Sequence, residues 1–190
     1  MVDVGSLALL FGWVLAIYGI GTSLFGAYAR RRDFVASGEN ATRGGWGMVL
    51  VATAALLHGL VTGDVSLKYV APYSSSTLPL QYKVAALWGG QAGSLLFWLV
   101  ILTSMAAIVV LQNRERNREL MPYVTATLLV ISLFFLSMVN FITPPFERLA
   151  FVPQEGRDLN PPLQNYWLTI HPPSLYVGFV GCSVPFAFAM

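Results

Sequence analysis

Charged residues leave five long uncharged stretches along this 190-residue chain. Charges close four of them on both sides, and the fifth follows Asp158; they occupy residues 4–29, 44–63, 84–113, 120–146 and 159–190. A transmembrane helix needs about 20 mostly apolar residues, so each stretch is long enough to hold one. The pattern predicts an all-α, polytopic integral membrane protein with spans near 4–29, 44–63, 88–112, 121–143 and 174–190.

The fifth span is the shortest, because prolines at 161, 162, 172 and 173 restrict it to residues 174–190. At about 1.5 Å per residue this segment reaches roughly 25 Å, less than the hydrocarbon core of about 30 Å. We therefore expect four full transmembrane helices and a fifth, truncated one. This arrangement suits the N-terminal part of a longer chain, read as a single transmembrane region over 1–190.

A short helix on the membrane surface is predicted ahead of the fifth span. The segment from Asn165 to Ile170 is apolar and aromatic enough to lie at the interface. A residue that precedes proline avoids the helical region, so Pro172 should end this helix at His171. Ser174 then suits the start of the next helix as its cap.

Composition supports a membrane protein and excludes several other classes. Hydrophobic residues make up 56% of the chain and charged residues 11%, against roughly 25% charged residues in a soluble domain. The net charge of +2, with no basic run interleaved with aromatics, argues against a nucleic-acid partner. The single cysteine, Cys182, excludes an internal disulfide and an all-cysteine metal site, and we expect it to be a small buried residue.

The positions of lysine and arginine predict the orientation. The first and third loops carry seven arginines, whereas the second and fourth loops carry four lysines and arginines together. Cytoplasmic loops are enriched in these residues. The N-terminus and the loops at 64–87 and 144–173 are therefore predicted to lie on the outer side of the membrane.

Four glycines recur every seven residues in the first span: Gly5, Gly12, Gly19 and Gly26. This spacing keeps them on one helix face, where the missing side chains let a second helix approach closely. A substrate groove would need polar groups on the same face, and only Thr22 and Ser23 lie near it. We interpret the first span as a packing element.

Irregular backbone is predicted where the second loop meets the third span. The sequence there reads Trp88-Gly-Gly-Gln-Ala-Gly-Ser-Leu-Leu-Phe-Trp98. Its glycines lower helix propensity and permit close backbone approach. Near a membrane such backbone is tolerated only where it is buried in protein or lines a cavity. The two tryptophans are also typical of interfacial anchors.

Two histidines are candidate functional residues. His58 lies within the second span, where a hydrogen bond to a neighbouring helix is favoured over a functional site. His171 lies in the fourth loop and is flanked by Trp167 and Tyr176. Neutral imidazole binds haem iron, and aromatic rings pack against porphyrins. Axial ligation of haem is one interpretation of His171, and an interfacial histidine that caps a helix is equally consistent.

Three stretches together resemble the N-terminal part of the CcmF proteins of cytochrome c-type biogenesis, the membrane haem lyase family. They are residues 68–83, the run from Trp88 to Trp98, and Leu159-Asn-Pro-Pro-Leu-Gln-Asn followed by Ile170-His-Pro-Pro-Ser-Leu-Tyr-Val-Gly-Phe-Val-Gly181. Each motif is modest alone, but their order and spacing make the combination specific. The resemblance covers about residues 45–181.

The resemblance implies a role in cytochrome c maturation at the bacterial inner membrane. A member of this family takes b-type haem from a periplasmic haem chaperone, holds it at the outer face and presents it to apocytochrome c, with thiol-reducing maturation proteins as further partners. It implies that His171 is an axial ligand of the haem iron, with Trp167 and Tyr176 packing near the haem. The family's tryptophan-rich loop, second external histidine and intramembrane ligands have no match here, so these residues alone are not expected to form an active lyase.

Two other classes are weighed against this interpretation. A transporter or channel fragment would use His58 and the break at Gly89 and Gly90, but it predicts an internal repeat that the sequence lacks. A structural membrane subunit would pack through the glycine face and would not depend on His171. Neither class requires the aromatic segment that leads to His171.

Overall fold

The computed structural model describes residues 2–113 and 115–190, and within them every regular element is a helix. Seven α-helices follow in chain order: α1 (Val2–Tyr28), α2 (Arg32–Thr62), α3 (Leu80–Ala85), α4 (Gln91–Gln112), α5 (Met121–Ser137), α6 (Tyr166–Gly181) and α7 (Ser183–Ala189). Short 3-10 turns occupy Ala86–Trp88 and Pro161–Leu163, and a π-helical turn at Met138–Ile142 extends α5.

Five helical segments are long and apolar enough to cross a membrane: Val2–Tyr28, Arg32–Thr62, Gln91–Gln112, Met121–Ile142 and Thr169–Ala189. This finding confirms the all-α, polytopic architecture expected from the uncharged stretches. The fifth segment is not truncated as expected: it has 21 residues, because it begins at Thr169 and passes through Pro172 and Pro173 without a break.

The second helix begins at Arg32, about a dozen residues before the predicted start of the span at residue 44. Its added turns are polar, yet they remain helical because they lie against α1, where the Tyr18 and Ser37 hydroxyls are 2.8 Å apart. Asp33 in the first turn also favours a helix N-terminus. The flanking charges therefore mark the ends of the apolar part of α2, and the helix itself begins earlier. Arg114, used in the charge count, lies outside the described residues.

The predicted surface helix ending at His171 is wrong, because α6 continues through Pro172 and Pro173. Proline removes one N–H donor but has a φ that suits a helix, so the two prolines weaken the ladder without ending it. The Ser174 hydroxyl donates to the Ile170 carbonyl (3.1 Å), which places this serine inside the helix and not at its cap. The N-cap residue of α6 is Asn165, whose Oδ1 accepts from the Trp167 N–H (3.0 Å).

The glycine face of α1 is a helix-packing surface, as the seven-residue spacing predicts. All four glycines are buried, and they face α2, α5 and the segment that follows α5. The Cβ position of Gly12 is 4.0 Å from the Gly45 carbonyl oxygen, and that of Gly19 is 3.6 Å from the Gly38 carbonyl oxygen. Glycines on both helices thus let the two backbones approach closely.

Replacing Gly26 by alanine is expected to destabilise the bundle by about 1–3 kcal/mol, because overpacking displaces neighbouring groups. The added methyl group would lie 2.8 Å from the backbone nitrogen of Val35. Gly21 on the same helix has nothing within 4 Å of its Cβ position, so Gly21→Ala is the matched control. Thermal unfolding in detergent, followed by far-ultraviolet circular dichroism, should show a lower Tm only for Gly26→Ala. Equal Tm values for the two variants would contradict this packing.

Candidate functional site

The loops at 63–90 and 143–165 pack together at the end of the bundle that carries the start of α1; we call this unit the cap. Its two loops run antiparallel at their closest approach. The Lys68 N–H donates to the Glu147 carbonyl (2.8 Å), and the Leu149 N–H donates to the Ser66 carbonyl (2.9 Å). Further along, the Arg157 N–H donates to the Ala71 carbonyl (2.7 Å). Backbone hydrogen bonds thus fix one loop on the other.

Side chains add ionic and polar links at the edge of the cap. The Lys68 ammonium is 2.9 Å from a carboxylate oxygen of Glu147, and the Arg148 guanidinium is 3.3 Å from Asp3 at the start of α1. Both pairs are exposed, so each stabilises the fold by no more than about 1 kcal/mol. The Ser75 hydroxyl also bonds to the Asp158 carboxylate.

Glu155 joins the two loops through hydrogen bonds to its carboxylate. Its oxygens accept from the Ser76 N–H (3.0 Å), the Ser76 hydroxyl (2.9 Å) and the Gly156 N–H (3.0 Å). These bonds favour the charged form and hold the pKa of Glu155 below its usual value of 4.5, the Ser76 backbone N–H contributing most. The carboxylate is solvent-exposed, so this link depends on hydrogen bonds and not on burial.

Tyr69 holds the cap to the beginning of α4. Its side chain is buried, and its hydroxyl proton is shared between the carbonyls of Ala86 (2.9 Å) and Leu87 (3.0 Å). The same oxygen accepts from the Gly90 N–H (3.1 Å). Burial raises the pKa of Tyr69, so the phenol stays protonated and remains a donor.

The glycines of the Trp88–Trp98 run leave space for the aromatic rings of the cap. A Cβ atom on Gly93 would overlap the Tyr69 hydroxyl and the Leu87 carbonyl. One on Gly90 would lie 2.5 Å from the Tyr73 ring. Close backbone approach, expected from the sequence, is therefore the structural reason for these glycines, and the backbone there is buried in protein.

His171 lies on α6, exposed, and no hydrogen bond or ion pair reaches its ring from the part of the chain that the structure describes. Trp167 precedes it by four residues and so shares its helix face. That indole is 75% exposed, and the Tyr166 ring packs against it edge to face at 5.1 Å. The structure thus places an available imidazole beside an exposed aromatic surface.

Tyr176 lies on a different face of α6. Five residues along a helix correspond to a rotation of about 140°, which turns this ring away from His171 and towards α4. Its centroid is 5.4 Å from that of Trp98 and 6.1 Å from that of Phe97. Tyr176 therefore fixes α6 against α4, and only Trp167 of the two predicted aromatic neighbours shares the exposed face with His171.

The other two sequence candidates do not join this site. His58 is exposed on α2, and no hydrogen bond to its ring is present among the described residues, so the favoured bond to a neighbouring helix is not found. Cys182 is exposed, contrary to the expected burial, because it lies on a face of the fifth segment that the described helices leave uncovered. Its thiol donates only to the Gly178 carbonyl (3.5 Å).

The His171 imidazole is the group at this site that could bind a metal. In the described ranges no group of three or more His, Cys, Asp or Glu side chains could hold a bare metal ion. His171 could supply one ligand to a metal that brings its other ligands with it, as the iron of a porphyrin does. The exposed Trp167 indole suits contact with such a flat, apolar ring system.

Sequence reasoning missed the residues that build the cap, chiefly Tyr69, Ser76, Glu155 and Asp158. Their partners are far away in sequence, and no local pattern identifies such pairs. The sequence does carry one indication of these contacts. The Ser-Ser-Ser-Thr segment at 74–77 offers hydroxyl donors, and the acidic residues at 155 and 158 offer carboxylate acceptors for them.

The fold and the cap define a multi-pass helical membrane protein with an exposed histidine on its fifth membrane segment, and this class has known relatives. A family model described as "Cytochrome C assembly protein" matches residues 88–190, which include all of α4 to α7. The chain belongs to this cytochrome c assembly family, and its relatives are CcmF and NrfE proteins.

The chain is 36% identical over 189 residues to the "Cytochrome c-type biogenesis protein CcmF" of Pseudomonas fluorescens, covering 99% of this chain and 29% of that protein. It is 41% identical over 136 residues to the CcmF of Escherichia coli (strain K12), covering 71% of this chain and 21% of the relative. A solved structure named "Cytochrome c Heme Lyase CcmF" superposes with a TM-score of 0.82 at 26% identity, over 98% of this chain and 29% of that one. The chain thus spans under a third of the length of these relatives.

Tyr69→Phe is expected to lower stability by about 1–3 kcal/mol, because the Ala86 and Leu87 carbonyls and the Gly90 N–H lose a buried partner. Tyr73→Phe is the matched control, since the Tyr73 hydroxyl makes no hydrogen bond within the described residues. Thermal unfolding in detergent measures both variants. A Tm for Tyr69→Phe equal to that of Tyr73→Phe would show that the hydroxyl does not hold the cap.

Glu155→Gln is expected to lower the Tm at neutral pH and to have little effect in acid. The pKa of Glu155 is lowered in the folded state, so its stabilising contribution is complete above the unfolded value of 4.5 and is lost as the pH falls below it. The unfolding curves of the two proteins should therefore differ at pH 7 and converge as the pH is lowered in steps below 4.5. A Tm difference that persists unchanged through that range would contradict the role of the charged carboxylate.

Proposed function

We propose that this chain forms part of a membrane haem lyase in cytochrome c maturation, which holds haem at the outer face of the membrane and presents it to apocytochrome c. The observation that carries the proposal is the exposed His171 beside Trp167, within the region that matches the family model, with no partner for its ring among the described residues. The names of the relatives, which are cytochrome c-type biogenesis proteins and a haem lyase, support the same activity.

His171 is the proposed axial ligand of the haem iron. A neutral imidazole donates its lone pair to iron, and the ring is exposed with no competing partner in the described part of the chain. Trp167 lies on the same helix face and offers an apolar surface to the porphyrin. Tyr176 holds α6 on α4 through its contact with Trp98, and its packing near haem stays a prediction.

The role of the protein in this reaction is positioning. Haem and the cysteine thiols of the apocytochrome supply the reacting atoms, and correct placement of the vinyl groups and thiols lowers the barrier. The b-type haem is carried as substrate, and His171 holds its iron. Other parts of the complete protein supply the second ligand of the iron and the remaining contacts to the porphyrin. A periplasmic haem chaperone, apocytochrome c and thiol-reducing maturation proteins are the proposed partners.

The proposed location is the bacterial inner membrane, with the cap on the periplasmic side. The distribution of arginine supports this orientation, since six of the described arginines belong to the loops and polar helix turns at the opposite end. The ion pair between Arg148 and Asp3 holds the fourth loop at the N-terminal end of α1, so the proposal places the N-terminus on the same side as the cap. Haem and the unfolded cytochrome would then meet His171 outside the cytoplasm.

In a full-length protein that carries this chain, His171→Ala is expected to reduce haem content and cytochrome c maturation by about tenfold or more, because the iron loses a ligand. His58→Ala is the matched control: it removes the other histidine of the chain, which is also exposed, and should leave both quantities unchanged. Haem is measured by absorption of the purified protein, and maturation by haem staining of the cytochrome. Unchanged haem content and maturation in His171→Ala would refute the ligand assignment.

A further inference from the structure

A second cavity lies at the end of the bundle opposite the cap, between the first turns of α2 and the segment that leads into α5. Its volume is about 420 Å³, and its described lining includes three arginines: Arg32, Arg43 and Arg118. We propose that it binds the headgroup of an anionic phospholipid, a phosphodiester carrying one negative charge as in phosphatidylglycerol. The proposal is independent of haem binding.

The arginines reach the cavity from two sides. Arg32, Ala36, Glu39 and Arg43 are spaced by four, three and four residues, so they form a single stripe along α2. Arg118 faces this stripe from the segment before α5. Arg118 thus closes the cavity on the side opposite the α2 stripe.

Two of the guanidinium groups remain available for an anion. Arg118 is 2.6 Å from the Glu115 carboxylate, which already neutralises it. Arg43 donates to the Asn40 side-chain oxygen (2.7 Å) and to the Glu39 backbone carbonyl (3.4 Å), and it has no carboxylate partner within the described ranges. Arg32 is exposed and likewise makes no ion pair there. Guanidinium groups bind phosphate oxygens through paired N–H donors.

The charge of the lining matches a singly charged headgroup. Among the described residues of the lining, three arginines and two glutamates, Glu39 and Glu115, leave an excess of one positive charge (3 − 2 = 1). A phosphodiester with an uncharged alcohol balances this excess. A zwitterionic headgroup would bring its own cation close to the arginines and would be disfavoured.

The depth and the apolar part of the lining indicate a lipid instead of a free ion. Arg43 and Thr62 are separated by about 29 Å along α2, close to the thickness of the hydrocarbon core of about 30 Å. Arg43 therefore lies at headgroup level when Thr62 lies at the opposite interface. Met121, the first residue of α5, lines the same cavity and offers apolar contact to the glycerol end of a lipid. Basic pockets between membrane helices commonly hold anionic headgroups.

Native mass spectrometry of the full-length protein in detergent, titrated with phosphatidylglycerol or phosphatidylcholine, tests the proposal. We expect phosphatidylglycerol to bind in preference, and Arg32→Gln/Arg43→Gln to weaken its binding by about tenfold. Arg30→Gln/Arg31→Gln is the control: it removes the same charge from residues that do not line the cavity. The single variant Arg32→Gln, at an exposed position, should show a smaller loss in a normally folded protein.

Four results would overturn the proposal. Equal weakening by the two double variants would indicate a diffuse surface charge effect. No loss with Arg32→Gln would exclude Arg32 as a ligand of the headgroup. Equal binding of phosphatidylcholine would exclude selection of the anionic headgroup. Displacement of the lipid by inorganic phosphate at comparable concentration would assign the cavity to a free phosphate ion.

Discussion

The hydroxyl group of Tyr69 is the contact on which the geometry of the cap depends. It bonds to three successive parts of the corner between α3 and α4, at Ala86, Leu87 and Gly90. The corner is buried, and unpaired backbone groups there would be costly. This single phenol therefore fixes both where α4 begins and how the second loop lies over it.

The position of His171 follows from that corner through a series of contacts. The point where α4 begins sets the position of Phe97 and Trp98 along the bundle axis, and Tyr176 on α6 packs against both rings. The fourth loop, which leads into α6, is held on the second loop by backbone hydrogen bonds and by Glu155. Helix α6 is thus fixed both by its contact with α4 and by the fourth loop before it, while the His171 ring has no partner among the described residues. Such an arrangement is what a ligand-presenting histidine requires: a fixed helix and an unoccupied side chain.

The sequence predicted the helices well and the cap poorly, for physical reasons. Apolar stretches report burial in lipid directly, and the glycine repeat of α1 reports close packing on one face. Pro172 was misleading because the tendency of a residue before proline to leave the helix is a local preference, which tertiary packing of Tyr176 and an added bond from Ser174 outweigh. The Glu155–Ser76 and Tyr69–Ala86 pairs join residues remote in sequence, so no periodicity or motif reveals them.

Chemical rescue is the sharpest test of the proposed coordination of haem iron by His171. In the full-length protein with bound haem, His171→Gly leaves a gap that free imidazole can fill. We expect this variant to lose the absorption and electron paramagnetic resonance signature of one histidine-ligated haem, and added imidazole to restore it. A His171→Gly spectrum identical to that of the unmodified protein, with no response to imidazole, would show that His171 does not bind the iron.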